Sequence, residues 1–278
     1  MSDKYAVIGH PIGHSMSPFI HKRLFGLSGK DVEYSSADIA PEDLEGSIHR
    51  LSRLSGFNIT IPHKEAMMKY LADTDDSAKR YGAVNCVKCE NGRMSGCSTD
   101  AYGFKKALLG GGVRLLGNVL VLGCGGAART LAREAADSGC TVTIAARSRS
   151  LAKADALAEW INSSGGKALT APMDDIKGSF DLLVNATPVG MYPNTDASPV
   201  GVELLSRCGA LFDAIYNPGV TRLMESARSL GIKTVGGMPM LVWQAVAAHE
   251  FWYGASFDDR DIENLISDAE KETKVIFG

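Results

Sequence analysis

Short apolar runs alternate with amphipathic stretches along nearly the whole chain, and that alternation predicts an α/β protein. Residues 5–8, 32–37 and 57–61 read as strands and 18–27 and 41–54 as helices, with further short helices from Lys64 and from Asp75. This order builds a mostly parallel sheet with crossover helices. Residues 83–100 instead carry Asn91-Gly92 between two extended segments, the signature of a β-hairpin that would supply an antiparallel edge. From Ala101 a helix leads to Gly110-Gly111-Gly112, which reads as a hinge or linker.

Past the glycines the alternation resumes, with strands near Val119, Val142, Leu182, Leu211 and Thr234 and helices near Ala127, Leu151 and Thr221. Residues 239–253 form one long helical pattern, and a charged one runs from Asp258 to the end. No internal repeat interrupts the series.

The strongest chemical signal lies in residues 119–129, VLVLGCGGAAR. Gly123-Cys124-Gly125-Gly126-Ala127-Ala128 fits the G-x-G-x-x-G/A dinucleotide fingerprint, with a buried-type strand before it and a helical stretch after it. Gly123 makes the tight turn, Gly125 lets the backbone approach a pyrophosphate, and Ala128 permits close helix packing. Free N–H groups at the helix start, at Gly126 and Ala127, then meet the negative charge. After the second strand, where an NAD site places an acid for the ribose hydroxyl, the chain has Ala146-Arg147-Ser148-Arg149. Two arginines and a hydroxyl suit a 2′-phosphate, so the expected cofactor is NADP, although such arginines also serve as a solvated strand end. A further strand, 180–184, ends in NATPVGM, polar and turn residues at the edge where open α/β sheets bind ligands.

Composition narrows the setting. Hydrophobic residues make up 45% and charged residues 22% of the chain, and the net charge is -3, so nothing suggests nucleic acid or a membrane surface as partner. No apolar run approaches a membrane span, and the six cysteines lack the density of a disulfide framework, which points to the cytoplasm. Cys86 and Cys89 form a C-x-x-C, but period two puts them on opposite faces of a strand, and no second close pair completes a zinc site. His10, His14, His21 and His63 lack a matching carboxylate spacing, so no metal is expected.

Four polar constellations mark the first part of the chain. In His14-Ser15-Met16-Ser17-Pro18, Ser17 suits an N-cap and Pro18 the first helical position, while two serines at a helix start also suit a carboxylate. In residues 58–64, Asn58 and Thr60 share a strand face and Lys64 enters at a helix start, where the dipole disfavours a cation. A nearby carboxylate would relieve that cost. Asp100, in Ser98-Thr99-Asp100, is a candidate, and Asn85 adds an amide.

Taken in order, HSMSP, NITIPHKE, GAVN, STD, GCGGAA, NATPVGM and MLVWQA resemble the shikimate dehydrogenases, including the quinate/shikimate branch, from Tyr5 to about Tyr253. The resemblance implies an α/β substrate domain, residues 1–101 plus 238–278, and a Rossmann NADP-binding domain, residues 102–237. It implies NADPH-dependent reduction of 3-dehydroshikimate to shikimate, a small-molecule substrate, and a monomer or a homodimer. Ser15 and Ser17 would hold the substrate carboxylate, joined by Tyr216. Asn58, Thr60, Asn85, Asp100 and Gln244 would hold ring hydroxyls, with Lys64 and Asp100 as the catalytic pair. Thr187, Gly237 and Met240 would lie with the cofactor, and the spacing of Met240 and Gln244 lets one helix face serve both ligands.

The chain also departs from that pattern. The usual N-T-D-G is Ser98-Thr99-Asp100-Ala101, and the usual N-R-T is Ala146-Arg147-Ser148, with Arg149 available to compensate. Met16 stands where a lysine is frequent. Two alternatives follow: a quinate/shikimate dehydrogenase that accepts NAD, and a non-catalytic NADP-binding regulatory module. Retention of both Lys64 and Asp100 argues against the module.

Overall fold

The computed structural model describes residues 3–13 and 15–277; His14 lies outside the described residues. The chain divides into two compact units, Met1–Gly103 with Leu241–Ala269 and Phe104–Met240 with Glu270–Gly278.

Unit one is built on strands β1 (Lys4–Gly9), β2 (Glu33–Asp38), β3 (Gly56–Ile59), β4 (Asp73–Thr74), β5 (Cys86–Glu90) and β6 (Arg93–Cys97), in the order β2-β1-β3-β5-β6-β4. β1 pairs in parallel with β2 and with β3, because helices cross between them. The hairpin forms where Asn91-Gly92 predicts it, both residues in the left-handed region at φ 53° and 77°. It is not the edge, however: β4 pairs in parallel with β6 outside it. A strand of two residues carries no periodic signal, so the sequence could not show it.

Helices α1 (Ser17–Leu27), α2 (Leu44–Leu51) and α3 (Asp76–Tyr81) join these strands. The helix expected over 41–54 is α2 with a preceding 3-10 turn, and Lys64 is followed by a second 3-10 turn, Ala66–Tyr70, in place of a helix. One apolar cluster gathers Ile8, Phe57, Met67 and Cys89; another gathers Tyr5, Phe25, Cys86, Cys97 and Trp252. Cys86 and Cys89 therefore fall in separate cores, as period two requires. All six cysteines are free, and the described residues contain no metal-holding group. Trp252 donates its indole N–H to Val87 O at 2.9 Å.

Helix α4 (Asp100–Gly110) carries the chain into unit two, and the unit boundary falls inside it, after Gly103. The glycine run is therefore not the boundary. Gly111 is a packing position, since a Cβ there would lie 2.3 Å from Val235 Cγ2.

Unit two contains β7 (Asn118–Leu122), β8 (Thr141–Ala146), β9 (Lys167–Pro172), β10 (Leu182–Asn185), β11 (Ala210–Asp213) and β12 (Lys233–Val235). Their order is β12-β11-β10-β7-β8-β9 and every pairing is parallel, the doubly wound arrangement of dinucleotide-binding sheets. The order reverses between β7 and β10, which places the ligand crevice at their carboxyl ends. β9 is the strand the hydrophobic pattern misses, for it lies at the sheet edge with Leu169 exposed. Helices α5 (Gly126–Asp137), α6 (Leu151–Ser163), α7 (Val202–Leu205) and α8 (Arg222–Ser229) complete the winding, followed by α9 (Gly237–Tyr253) and α10 (Asp259–Phe277). Trp160 on α6 lies under two guanidiniums of α5, Arg129 at 4.0 Å and Arg133 at 5.1 Å from the ring centre.

Candidate active site

In unit one, Lys64 and Asp100 meet. Lys64 follows the β3 segment, Asp100 opens α4, and Lys64 Nζ donates to Asp100 Oδ2 at 2.6 Å with side chains 16% and 7% exposed. The lysine that looked misplaced at a helix start has its carboxylate. Because the following helix is one short 3-10 turn, its dipole opposes the cation less than the sequence suggests.

Asn85 locks this pair into a network. Its Nδ2 lies 2.8 Å from Asp100 Oδ1, 2.9 Å from Thr99 Oγ1 and 3.2 Å from Gln244 Oε1, while its Oδ1 accepts from Thr99 N at 2.7 Å. Gln244 Nε2 donates in turn to Leu241 O at 2.8 Å. Asn85, Thr99, Asp100 and Gln244 are all buried. Asn85 and Gln244 thus spend much of their hydrogen-bonding capacity on each other and on Thr99, with Asn85 also holding Asp100.

Asn58 joins the network through Nδ2, 3.4 Å from Asn85 O, and its Oδ1 accepts from Tyr34 OH at 2.8 Å. Thr60 follows β3, half-buried, with its backbone N–H on Ile8 O. Near the start of α1, Ser15 Oγ accepts from Ser17 N at 3.2 Å. Ser17 is the first helical residue and not the cap; Met16, buried, holds the cap position without a side-chain bond. The two departures beside Asp100 are small and enclosed: Ala101 is buried, and Ser98 Oγ is buried without a partner.

Among the described histidines, His10, His21 and His63 each have a partner within the fold. His63 Nε2 binds Ile39 O at 2.7 Å, and His10 Nδ1 pairs with Asp38 at 2.6 Å, holding that carboxyl below its ordinary range. His21 Nδ1 faces His249 Nε2 at 2.9 Å in a buried aromatic cluster. Burial pushes His21 well below the ordinary imidazole value and His249 down to about 3.

In unit two, Gly123 adopts φ +103°, and a Cβ there would press on Ala186 O and Thr187 Cγ2 at 3.2 Å. Its N–H donates to Ala145 O at 2.8 Å, which ties the glycine turn to the end of β8. Gly125 caps α5 and has no side chain to bond the first-turn N–H groups of Gly126, Ala127 and Ala128. At the end of β8, Arg147, Ser148 and Arg149 are exposed, and none of the described carboxylates pairs with the arginines. Thr187 is held by Asn185 Oδ1, which accepts from its N–H at 3.0 Å and its hydroxyl at 2.7 Å.

Behind Thr187 lies a buried carboxylate that the sequence reading did not single out. Asp213 accepts from Asn185 Nδ2 at 3.0 Å, Ile215 N at 3.1 Å and Thr221 Oγ1 at 2.7 Å. Burial raises its pKa, while these donors oppose the rise. Tyr216, next to Ile215, is half-buried, Gly237 N donates to Ile215 O at 3.1 Å, and Met240 is buried in the apolar core of unit two.

Comparison with known proteins agrees with this geometry. A family model for the shikimate dehydrogenase substrate binding domain matches residues 7–87. The curated shikimate dehydrogenase (NADP(+)) of Shouchella clausii is 35% identical over 274 residues, covering 96% of this chain and 98% of its own. That of Methanocaldococcus jannaschii is 38% identical, covering 94% and 95%. The chain belongs to the shikimate dehydrogenase family. The crystal structure of the Thermus thermophilus shikimate 5-dehydrogenase, in complex with NADP(H) and shikimate, superposes with a TM-score of 0.86 at 38% identity and covers 96% of this chain and 99% of its own.

Two network members escaped the sequence reading as site candidates. Thr99 sat inside the Ser98-Thr99-Asp100 motif, so its position was the available signal. Tyr34 gave none, because a tyrosine in an alternating strand reads as packing.

Proposed function

We propose that the protein catalyses the reversible NADPH-dependent reduction of 3-dehydroshikimate to shikimate, the step that serves chorismate and aromatic amino-acid biosynthesis. The observation that carries this reading is the Lys64–Asp100 pair fixed by Asn85, in a family whose curated members are named for NADP(+). The residues of unit two fit that cofactor: a glycine turn at positive φ, an uncapped helix start for the pyrophosphate, and two exposed arginines in place of an acid for the 2′-phosphate. When bound, the reduced nicotinamide supplies a hydride to the ketone carbon.

The lysine ammonium stabilises the negative charge that develops on the ketone oxygen and then donates its proton to give the alcohol. Asp100 holds the Lys64 ammonium in place through their hydrogen bond, and Asn85 holds Asp100. Ser15 and Ser17 hold the substrate carboxylate, and Asn58, Thr60, Asn85, Asp100 and Gln244 discriminate ring hydroxyls, because an unpaired buried amide penalises the wrong isomer. Thr187, Gly237 and Met240 serve the nicotinamide side. On this reading unit one is the substrate domain, unit two the cofactor domain, and the enzyme works in the cytoplasm; no described helix is long and apolar enough to cross a membrane.

The test is absorbance in the nicotinamide band with shikimate or quinate, each with NADP or NAD. Fast turnover of shikimate with NADP alone, lost in Lys64→Ala while NADP still binds, is the expected result. Quinate or NAD turnover would move the enzyme to the broader branch, and no turnover in any combination would overturn the reading.

A further inference from the structure

We propose that Tyr34 is a positioning residue for substrate recognition, its hydroxyl setting which end of the Asn58 amide is presented to a ring hydroxyl. This rests on the shikimate dehydrogenase reading above, within which Asn58 contacts the substrate.

The sheet makes the contact. β2 and β3 flank β1, with Tyr34 opposite Tyr5 and Asn58 opposite Val7, so the phenol reaches across β1 and along it to meet the amide. Tyr34 OH donates to Asn58 Oδ1 at 2.8 Å, and Asn58 is 4% exposed. The phenol ring lies flat on His21, centroids 4.4 Å apart and planes 7° from parallel. His21 is itself held by His249. Burial pushes the phenol well above its ordinary value, so it stays a donor across the working pH range.

The two ends of an amide are alike in size and opposite in hydrogen-bonding sense. With Tyr34 donating to Oδ1 and one Nδ2 hydrogen directed at Asn85 O, Asn58 has one N–H left. That N–H offers a donor to a substrate hydroxyl oxygen. Without the phenolic hydroxyl, nothing on the Tyr34 side distinguishes oxygen from nitrogen, and the amide could turn either end to the substrate.

The experiment is a double-mutant cycle of Tyr34→Phe and Asn58→Ala on the full chain, read as steady-state kinetics with shikimate and NADP and as thermal midpoints. Tyr34→Phe keeps the stacked ring and removes one hydrogen bond. A rise of about five- to tenfold in the KM for shikimate is expected, with the KM for NADP unchanged. In the Asn58→Ala background the same substitution is expected to do nothing further, because its target is gone. An unchanged KM in Tyr34→Phe, or an equal effect in both backgrounds, would overturn the proposal. So would a lowered thermal midpoint with kinetics intact, which is the mark of a purely structural contact. A wild-type protein that does not turn over shikimate would instead sink the functional reading, and this proposal with it.

Discussion

Asn85 Nδ2 stands 2.8 Å from Asp100 Oδ1, on the carboxylate whose other oxygen takes the Lys64 hydrogen bond. One amide therefore fixes the rotamer of the carboxylate that fixes the lysine. Asn85→Ala would leave that carboxylate oxygen and Thr99 N without their partner in a buried setting, at about 1–3 kcal/mol for each unsatisfied group. A fall in kcat of at least about tenfold should accompany the stability loss, as a displaced proton donor misaligns the chemistry. Urea midpoints and steady-state rates measure the two effects. A destabilised variant with wild-type kcat would show that Asn85 serves the fold alone.

Asp213 plays a comparable part behind the cofactor loop. Asp213→Ala strands Asn185 Nδ2, Ile215 N and Thr221 Oγ1, and Asn185 is the residue that holds Thr187 beside Gly123. A loss of about 3 kcal/mol is expected, together with weaker NADP binding by calorimetry. Asp213→Asn should be milder, since it keeps one oxygen acceptor and removes a charge that burial disfavours. NADP affinity unchanged in Asp213→Ala would uncouple this carboxylate from the loop.

The buried pair His21 and His249 sets a pH dependence. Both are held neutral in the fold, His249 with a pKa of about 3 against an ordinary 6.5, so the unfolded chain binds more protons as the pH drops through 6.5. Stability is therefore full above that value and declines toward acid, by about 1.4 kcal/mol per imidazole between about pH 7.5 and 5.5. Urea midpoints at the two pH values test this, and His249→Gln should show the shallower decline. Equal slopes in variant and wild type would mean that other groups govern the acid limb.

At the end of β8, the double substitution Arg147→Ala, Arg149→Ala should raise the KM for NADP by about 10- to 100-fold, the worth of one or two charge-assisted hydrogen bonds to a phosphate. The KM for NAD, which lacks that phosphate, should stay the same. Parallel losses with both cofactors would place the arginines elsewhere in the site.

The sequence exposes these features unevenly. The β7–α5–β8 unit is legible because a buried parallel strand, a glycine turn and small helix residues are all local signals. Lys64 announces a partner through its own misfit, and Asp100 is near enough in the chain to be found. Gln244 Oε1 lies 159 residues from Asn85, and no spacing rule connects amides across such a distance. β9 and β4 escape for the opposite reason, being edge strands whose side chains have too little core to face. The hydroxyl of Tyr34 cannot be read either, since its meaning depends on a residue two strands away.

The placement of the tryptophans has a practical side. Of the three, Trp243 and Trp252 belong to unit one, and Trp160 alone belongs to unit two, under its two guanidiniums. With Trp160 replaced by phenylalanine, every remaining indole reports from the same unit, so intrinsic fluorescence follows that unit through unfolding while circular dichroism follows both. The protein thus carries its own optical labels, already sorted by domain.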